Sequence, residues 1–450
     1  MIRIAATCRL LLAVAPASAQ PAPTPTPPAT PAPPPSPAAG DATAPTDGAT
    51  TTPPPDATAP DGTAPDSATA DDDLAAELGD AIAADTATAA KNAPAGGGGA
   101  LQSLNPDLAF IADLALAWFS QDQNLQAGDH DPHDNGFQLT GLELSVGKEV
   151  DPYFRFDANL VFGADGVEIE EAYGTTLDLP YSLQARAGQF LTRFGRMNNT
   201  HPHQWDFADQ PFALSRVFGG EGNRGPGVEL SWLTPLSWYV EVIGSVTDAR
   251  GEGTARSFIG DAGRPVDSPV ALQDTLAVKS FHELSPDLSL LWGASYATGP
   301  SGARKGDRAD VVGFDAYLKY RPITRQSHTI IALTTEWIAR RRQQPDATLT
   351  DVSGYAQLFW RFAQRWGTAV RYDYGGAATD ADGATGADAL DPDWTSARHR
   401  GTAALTFWPS EFSRLRAQIS VDRPGWLDDP VVAGFLTLEL AVGAHGAHAF

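Results

Sequence analysis

The sequence predicts an all-β fold: a transmembrane antiparallel up-and-down β-barrel of about 16 strands, with a segment that turns inward. Three observations carry this reading. Period-two alternation of apolar and polar residues recurs all along the chain after residue 100. No stretch there contains the roughly twenty consecutive apolar residues that a membrane helix needs. The links between alternating segments are short and long by turns, as tight turns at one barrel end and longer loops at the other require. Closure also removes the sheet edges that lipid would leave unpaired.

Residues 1–19 read as a secretory signal. Arg3 and Arg9 form the basic start, Leu10 to Ala15 a short apolar run, and Ala17-Ser18-Ala19 a small-residue cleavage pattern. Cys8, the single cysteine, falls within it. Residues 20–70 are Pro, Ala and Thr with scattered Asp, a composition that cannot bury enough apolar surface to order itself. In polyproline form this linker would reach roughly 150 Å at about 3.1 Å per residue, which suits a periplasmic arm in contact with peptidoglycan. Residues 71–100 place Leu74, Leu78 and Ile82 four apart behind an acidic start, a short helix followed by the Gly96–Gly99 joint.

Residues 101–450 are expected to form the barrel. Tyr153 to Phe162 is the clearest strand: Phe154, Phe156, Leu160 and Phe162 share one face, and Arg155, Asp157 and Asn159 the other. In a membrane barrel the first face meets lipid and the second lines water. Comparable segments begin near Leu108, Phe137, Tyr153, Val167, Tyr181, Gly227, Trp238, Thr275, Leu288, Asp310, His328, Asp351, Trp366, Thr395, Ser413 and Val431. Long links are expected at 120–136, 192–225, 248–273, 299–309, 340–350, 375–394 and 423–430. Aromatic rings flank the short turns, as membrane boundaries favour: Trp232 and Trp238, Trp360 and Trp366, and Trp408. The last strand ends on Phe450, and that ending resembles the signal that the barrel-assembly machinery reads.

Parity puts Arg155, Asp157, Arg186, Glu229, Arg371, Arg398, Arg400, Arg414 and Arg416 on the inner face. The chain carries a formal net charge of −24, so bases are concentrated in the lumen relative to the loops. The acidic balance excludes nucleic acid as partner, because binding phosphates needs clustered Lys and Arg. Thr192 to Gly225 is a long aperiodic stretch, and loops of that length are usually functional. Its Arg193, Arg196, His201, His203, Asp206, Arg216 and Glu221 are the expected constriction. His201, His203 and Asp206 are also candidate zinc or copper ligands. His130, Asp131, His133 and Asp134 form a second cluster on the first long loop, and His445 and His448 lie in the last strand.

No nucleophile-elbow or zinc-protease pattern occurs, which argues against an enzyme and requires no cofactor. Glu170 and Glu171, adjacent on a strand, should point to opposite faces rather than form a catalytic pair. Asp380 to Trp394 lacks calcium-loop spacing and reads as a solvated surface loop.

Three runs resemble porins of the phosphate-selective (O/P-like) superfamily: Glu170-Glu171-Ala172-Tyr173; Arg186-Ala187-Gly188-Gln189-Phe190 leading to Phe194-Gly195-Arg196; and Gly225-Pro226-Gly227-Val228-Glu229. The resemblance spans roughly residues 137 to 235, with the terminal strand added. It implies a sixteen-stranded, often trimeric pore in the outer membrane, with an inward loop after the fifth strand. Phosphate selectivity does not carry over, because the loop contains no Lys. The expected function is a passive channel for small polar or anionic solutes. The alternatives are metal binding or uptake through the loop histidines, and a cell-wall tether anchored by a closed barrel.

Overall fold

A computed structural model describes residues 106–443, apart from 123–124, 164–165, 252, 264, 323–327 and 387. The leader, the Pro-rich linker, the expected helix at 71–100, His445, His448 and Phe450 lie outside the described residues. Sixteen antiparallel strands close into a barrel, each bonded to its sequence neighbours, with β1 sealing against β16 from Ala109↔Gly443 to Phe119↔Ala433. They are β1 (Asp107–Phe119), β2 (Gly136–Glu149), β3 (Phe154–Gly163), β4 (Gly166–Thr176), β5 (Leu183–Leu191), β6 (Arg224–Leu233), β7 (Tyr239–Thr247) and β8 (Gln273–Ser285). The second half comprises β9 (Leu288–Pro300), β10 (Arg308–Tyr320), β11 (Ile330–Gln343), β12 (Thr348–Ala363), β13 (Trp366–Gly375), β14 (Arg398–Ser410), β15 (Ser413–Pro424) and β16 (Val431–Gly443).

Alternation explains the wall. Along β14, Arg398, Arg400, Thr402, Ala404 and Thr406 are buried, while Ala403 and Leu405 between them face out. The outer surface is a continuous apolar belt that includes Phe110, Trp118, Leu230, Phe314, Trp360, Val370, Ile419 and Leu436. So large an apolar surface is untenable in water and suits lipid. Among the described residues no helix is long and apolar enough to cross a membrane. Trp232, Trp238, Trp360 and Trp366 stand exposed near the short turns. Trp408 does not: it turns inward, 8% exposed, with its ring 6.4 Å from that of Phe359 and Arg361 4.8 Å above it.

The core lies within the barrel instead of between two sheets. Phe194, Leu214, Val217 and Phe218 of the segment after β5 pack with Phe258 of the β7–β8 connection and with Val311, Ile338 and Tyr355 of the wall. Helix α1 (Phe212–Phe218) is buried along its whole length, its apolar residues in the core and Arg216 against Asp391. Wall and segment approach closely enough to require glycine. Gly195 has φ +60°, and a Cβ there would lie 1.7 Å from Glu336 Oε1; one on Gly313 would lie 2.7 Å from the Phe194 ring.

Two expected connections are corrected. The long link at 340–350 shrinks to residues 344–347, because Arg340 and Arg342 continue β11 with their side chains buried. The 376–397 connection is solvated only in part. Asp388 and Asp391 are buried, the latter 2.5 Å from Arg340 Nη2 and 2.6 Å from Arg256 Nη1.

Candidate functional site: the inward segment and two flanks of the lumen

The segment after β5 begins and ends in one clasp. Thr192 N donates to Asn223 O at 2.9 Å, and Asn198 Nδ2 donates to Thr192 O at 2.8 Å. From there it crosses the lumen. Met197 N donates to Glu336 Oε2 on β11 at 3.2 Å, and Gln357 Nε2 on β12 donates to Asp206 at 2.9 Å. Trp205 O accepts Arg414 Nη1 at 3.0 Å and Arg416 Nη2 at 2.7 Å, both from β15. Asp209 is the far anchor. Its carboxylate lies 2.9 Å from Arg371 Nη2, 3.0 Å from Arg400 Nη1 and 2.7 Å from Gln418 Nε2. Burial alone would raise this carboxyl, but Arg371 and Arg400 outweigh burial and hold it below the ordinary range.

The first long loop buttresses the same anchor. Asp131 Oδ1 accepts Gln210 N at 2.9 Å, and Oδ2 accepts Gly128 N at 3.1 Å. Burial, reinforced by the charge on Asp209, pushes the Asp131 carboxyl up to about 8.

The segment faces two unlike surroundings. Against β10–β15 lies a cavity of about 440 Å³ lined by Arg196, Lys319, Arg361, Arg414 and Arg416, with Asp206 as its one carboxylate. Arg196 sits 3.9 Å above the Tyr317 ring. Among the described residues, Arg196, Lys319 and Arg416 form no ion pair, whereas Arg414 pairs with Glu439. Against β2–β5 lies a second cavity of about 350 Å³, lined by Glu143, Asp157, Glu171, Arg155, His201 and His203 among others.

On that second flank His201 is ringed by carboxylates. Its Nε2 is 3.0 Å from Glu171 Oε2, and its Nδ1 is 3.3 Å from Glu170 Oε2 and 3.9 Å from Glu143 Oε1. His203 stacks on it at 5.7 Å and directs Nδ1 to Glu143 Oε2 at 3.3 Å. Burial would lower the His201 imidazole, but the surrounding carboxylates of Glu170, Glu171 and Glu143 prevail and keep it well above the ordinary histidine range.

Glu170 and Glu171 reach the same ring because β4 bulges there: Asn159 pairs with Glu171 and Leu160 with Ile169, leaving Glu170 as the extra residue. The expectation of opposite faces is therefore corrected, since both side chains are buried in the lumen. The metal trio is corrected too. Asp206 lines the basic chamber, which His203 also reaches and His201 does not, and burial raises its carboxyl against the pull of Arg416 and Arg414.

The other expected constriction residues are drawn into the wall or the packing. Arg193 binds Glu229 at 2.9 Å and Glu241 at 2.7 Å. Arg216 is buried under the Trp394 ring at 3.7 Å and 3.2 Å from Asp391. Glu221 pairs with Arg224 at 3.1 Å, and burial pushes its carboxyl up to about 9. Of the expected wall residues, Arg186 lies 3.0 Å from Glu229, Arg155 2.8 Å from Asp157, and Arg398 clasps Asp422. The cluster on the first loop is dispersed. His133 Nε2 meets Gly128 O at 2.9 Å, while His130 comes within 3.8 Å of Glu170 and 4.0 Å of Glu221.

No protein-family model matches the chain. A protein of Aquifex aeolicus (strain VF5), described only as uncharacterized, is 32% identical over 339 residues, covering 70% of each chain. OprB of Pseudomonas putida superposes with a TM-score of 0.51 at 9% identity, over 77% of this chain and 97% of its own. An anion-selective porin from Comamonas acidovorans gives 0.50 at 12% identity, over 75% and 99%. The outer membrane channel DcaP of Acinetobacter baumannii gives 0.50 at 11% identity, over 75% and 97%. At such identities the likeness is one of fold. It is a likeness to the barrels of outer-membrane porins and channels at large and does not single out the phosphate-selective superfamily among them.

Proposed function

The chain belongs to the family of the Aquifex aeolicus protein, and on that premise, with its porin-type barrel, we propose that it is an outer-membrane diffusion channel for small anionic or polar solutes. The observation that carries the reading is the 440 Å³ chamber beside the inward segment, where five cations, Arg414 among them already paired with Glu439, face one lining carboxylate. Charge rings set the selectivity of a pore, and this one favours anions in a chain whose net charge is negative. The aromatic surfaces of Tyr317, Tyr355 and Trp408 give the same chamber apolar walls. No bond chemistry is required; transport is governed by a barrier of size and field. The inward segment narrows the path, with Arg196, His203 and Asp206 at the chamber and His201 at the opposite flank.

The test is a reversal potential in planar bilayers across a chloride gradient. An anion-directed potential is expected, and a cation-directed one overturns the selectivity.

A further inference from the structure

We propose that the acidic flank is a divalent-metal site in which His201 Nδ1 and the carboxylates of Glu143 and Glu170 ligate a zinc-class ion, tying the inward segment to β2 and β4. Geometry carries this. Ligand atoms of the three residues lie within 4.8 Å of one another. A tetrahedral ion with bonds of about 2.0–2.1 Å holds its ligands roughly 3.3–3.4 Å apart. The Nδ1 separations of 3.3 Å from Glu170 Oε2 and 3.9 Å from Glu143 Oε1 need only small movements to reach that figure.

The ring is already oriented. Nε2 stands 3.0 Å from Glu171, which can only accept, and 3.1 Å from Asn159 Nδ2, so the ring turns Nδ1, the nitrogen a metal ion would bind in place of a proton, toward Glu170. A carboxylate on the far nitrogen is the usual support of a metal-bound imidazole. Both Nδ1 and Glu170 Oε2 are buried without a hydrogen-bond partner among the described residues, and the Glu170 side chain is 6% exposed. Three carboxylates around one imidazole leave an excess of negative charge that a divalent ion would neutralise. The nitrogen ligand favours zinc-like ions over magnesium or calcium. Access is provided by the 350 Å³ cavity, which includes Glu143 and His201 in its lining.

A second grouping shares Glu170 with His130 and Glu221, but Arg224 already stands 3.1 Å from Glu221, so the inference is confined to the His201 set. The arrangement the experiment must exclude is a metal-free imidazolium held by the same glutamates.

The mature protein in detergent is titrated with zinc chloride by calorimetry and against a chromophoric chelator. The expected result is one saturable site per chain. Its affinity should fall by at least about 10–100-fold in Glu170→Gln and in His201→Ala, since losing even an outer-shell partner has that effect. His399→Ala, on the outer wall, should bind as the parent does. Glu170→Gln is nearly isosteric, and heat-modifiable migration verifies its barrel. An absence of saturable binding by the parent, or equal binding by a folded Glu170→Gln, overturns the proposal.

Closure by the ion is a consequence that rests on the channel reading: zinc should lower conductance in the parent and leave Glu170→Gln unchanged. The two readings fail separately, because a protein that binds zinc without conducting keeps the site and loses the channel.

Discussion

The two flanks of the inward segment are built from the same materials and arranged to opposite ends. Toward β10–β15, Arg196, Lys319 and Arg416 face a chamber without ion-pair partners among the described residues. Toward β2–β4, Glu143, Glu170 and Glu171 converge on one imidazole. The difference shows that net charge is a poor guide to a pore. What matters is which charges a crossing loop separates, since distance and the salt solution in the cavities screen charges on either side from each other.

Between the flanks, Asp209 holds the divider in place, and breaking it should have the largest effect. Asp209→Ala leaves Arg371 and Arg400 facing a hole; removing one partner of a buried pair costs about 3–5 kcal/mol, and the surviving contacts to Asp373 place this case near the lower end. A fall in the melting midpoint of the detergent-solubilised barrel, together with noisier single-channel currents, is the expected outcome.

The next effect is electrostatic. Lys319→Glu reverses a chamber cation that anchors nothing. A unit charge at 4 Å in bulk water is worth about 1 kcal/mol and the reversal changes two, about 2 kcal/mol for the anion alone, so the anion-to-cation permeability ratio should drop by roughly thirtyfold for an ion passing that close. The same change at Arg155, on the other flank and already 2.8 Å from Asp157, should move the ratio less. Equal shifts at both positions would erase the distinction between flanks.

The smallest effect is on pH. The Asp209 carboxyl is depressed, so its contribution is complete above the ordinary carboxylate range and is lost only as pH falls below it. Asp131 is raised to about 8, so its contribution is complete in acid and declines as pH rises, the loss being finished above about 8. Melting midpoints should therefore be higher in mild acid than at pH 8 to 9. Asp131→Asn should flatten that slope.

Much of the wall was legible in the residues. Every strand begins within three positions of where alternation predicted, because one face must meet lipid and the other must not. The inward segment was legible as a long aperiodic run rich in charge. The site was less so, for three physical reasons. Glu170 joins Glu171 through a bulge, and a bulge is a property of the pairing with β3 that no single strand displays. Arg340 and Arg342 look like loop residues until Asp388 and Asp391 arrive from a connection some fifty residues later to neutralise them. His130 meets Glu170 from a different loop than His201. Asp206, by contrast, was grouped with His201 by proximity in sequence, and the turn through Trp205 carries it to the other flank.

The measurement that bears most directly on the divided lumen is the single-channel conductance of a barrel lacking His201 to Phe212. Removing the divider should join the two cavities and raise conductance well above the parent's. A conductance equal to the parent's would mean that this segment does not stand in the path of the ions.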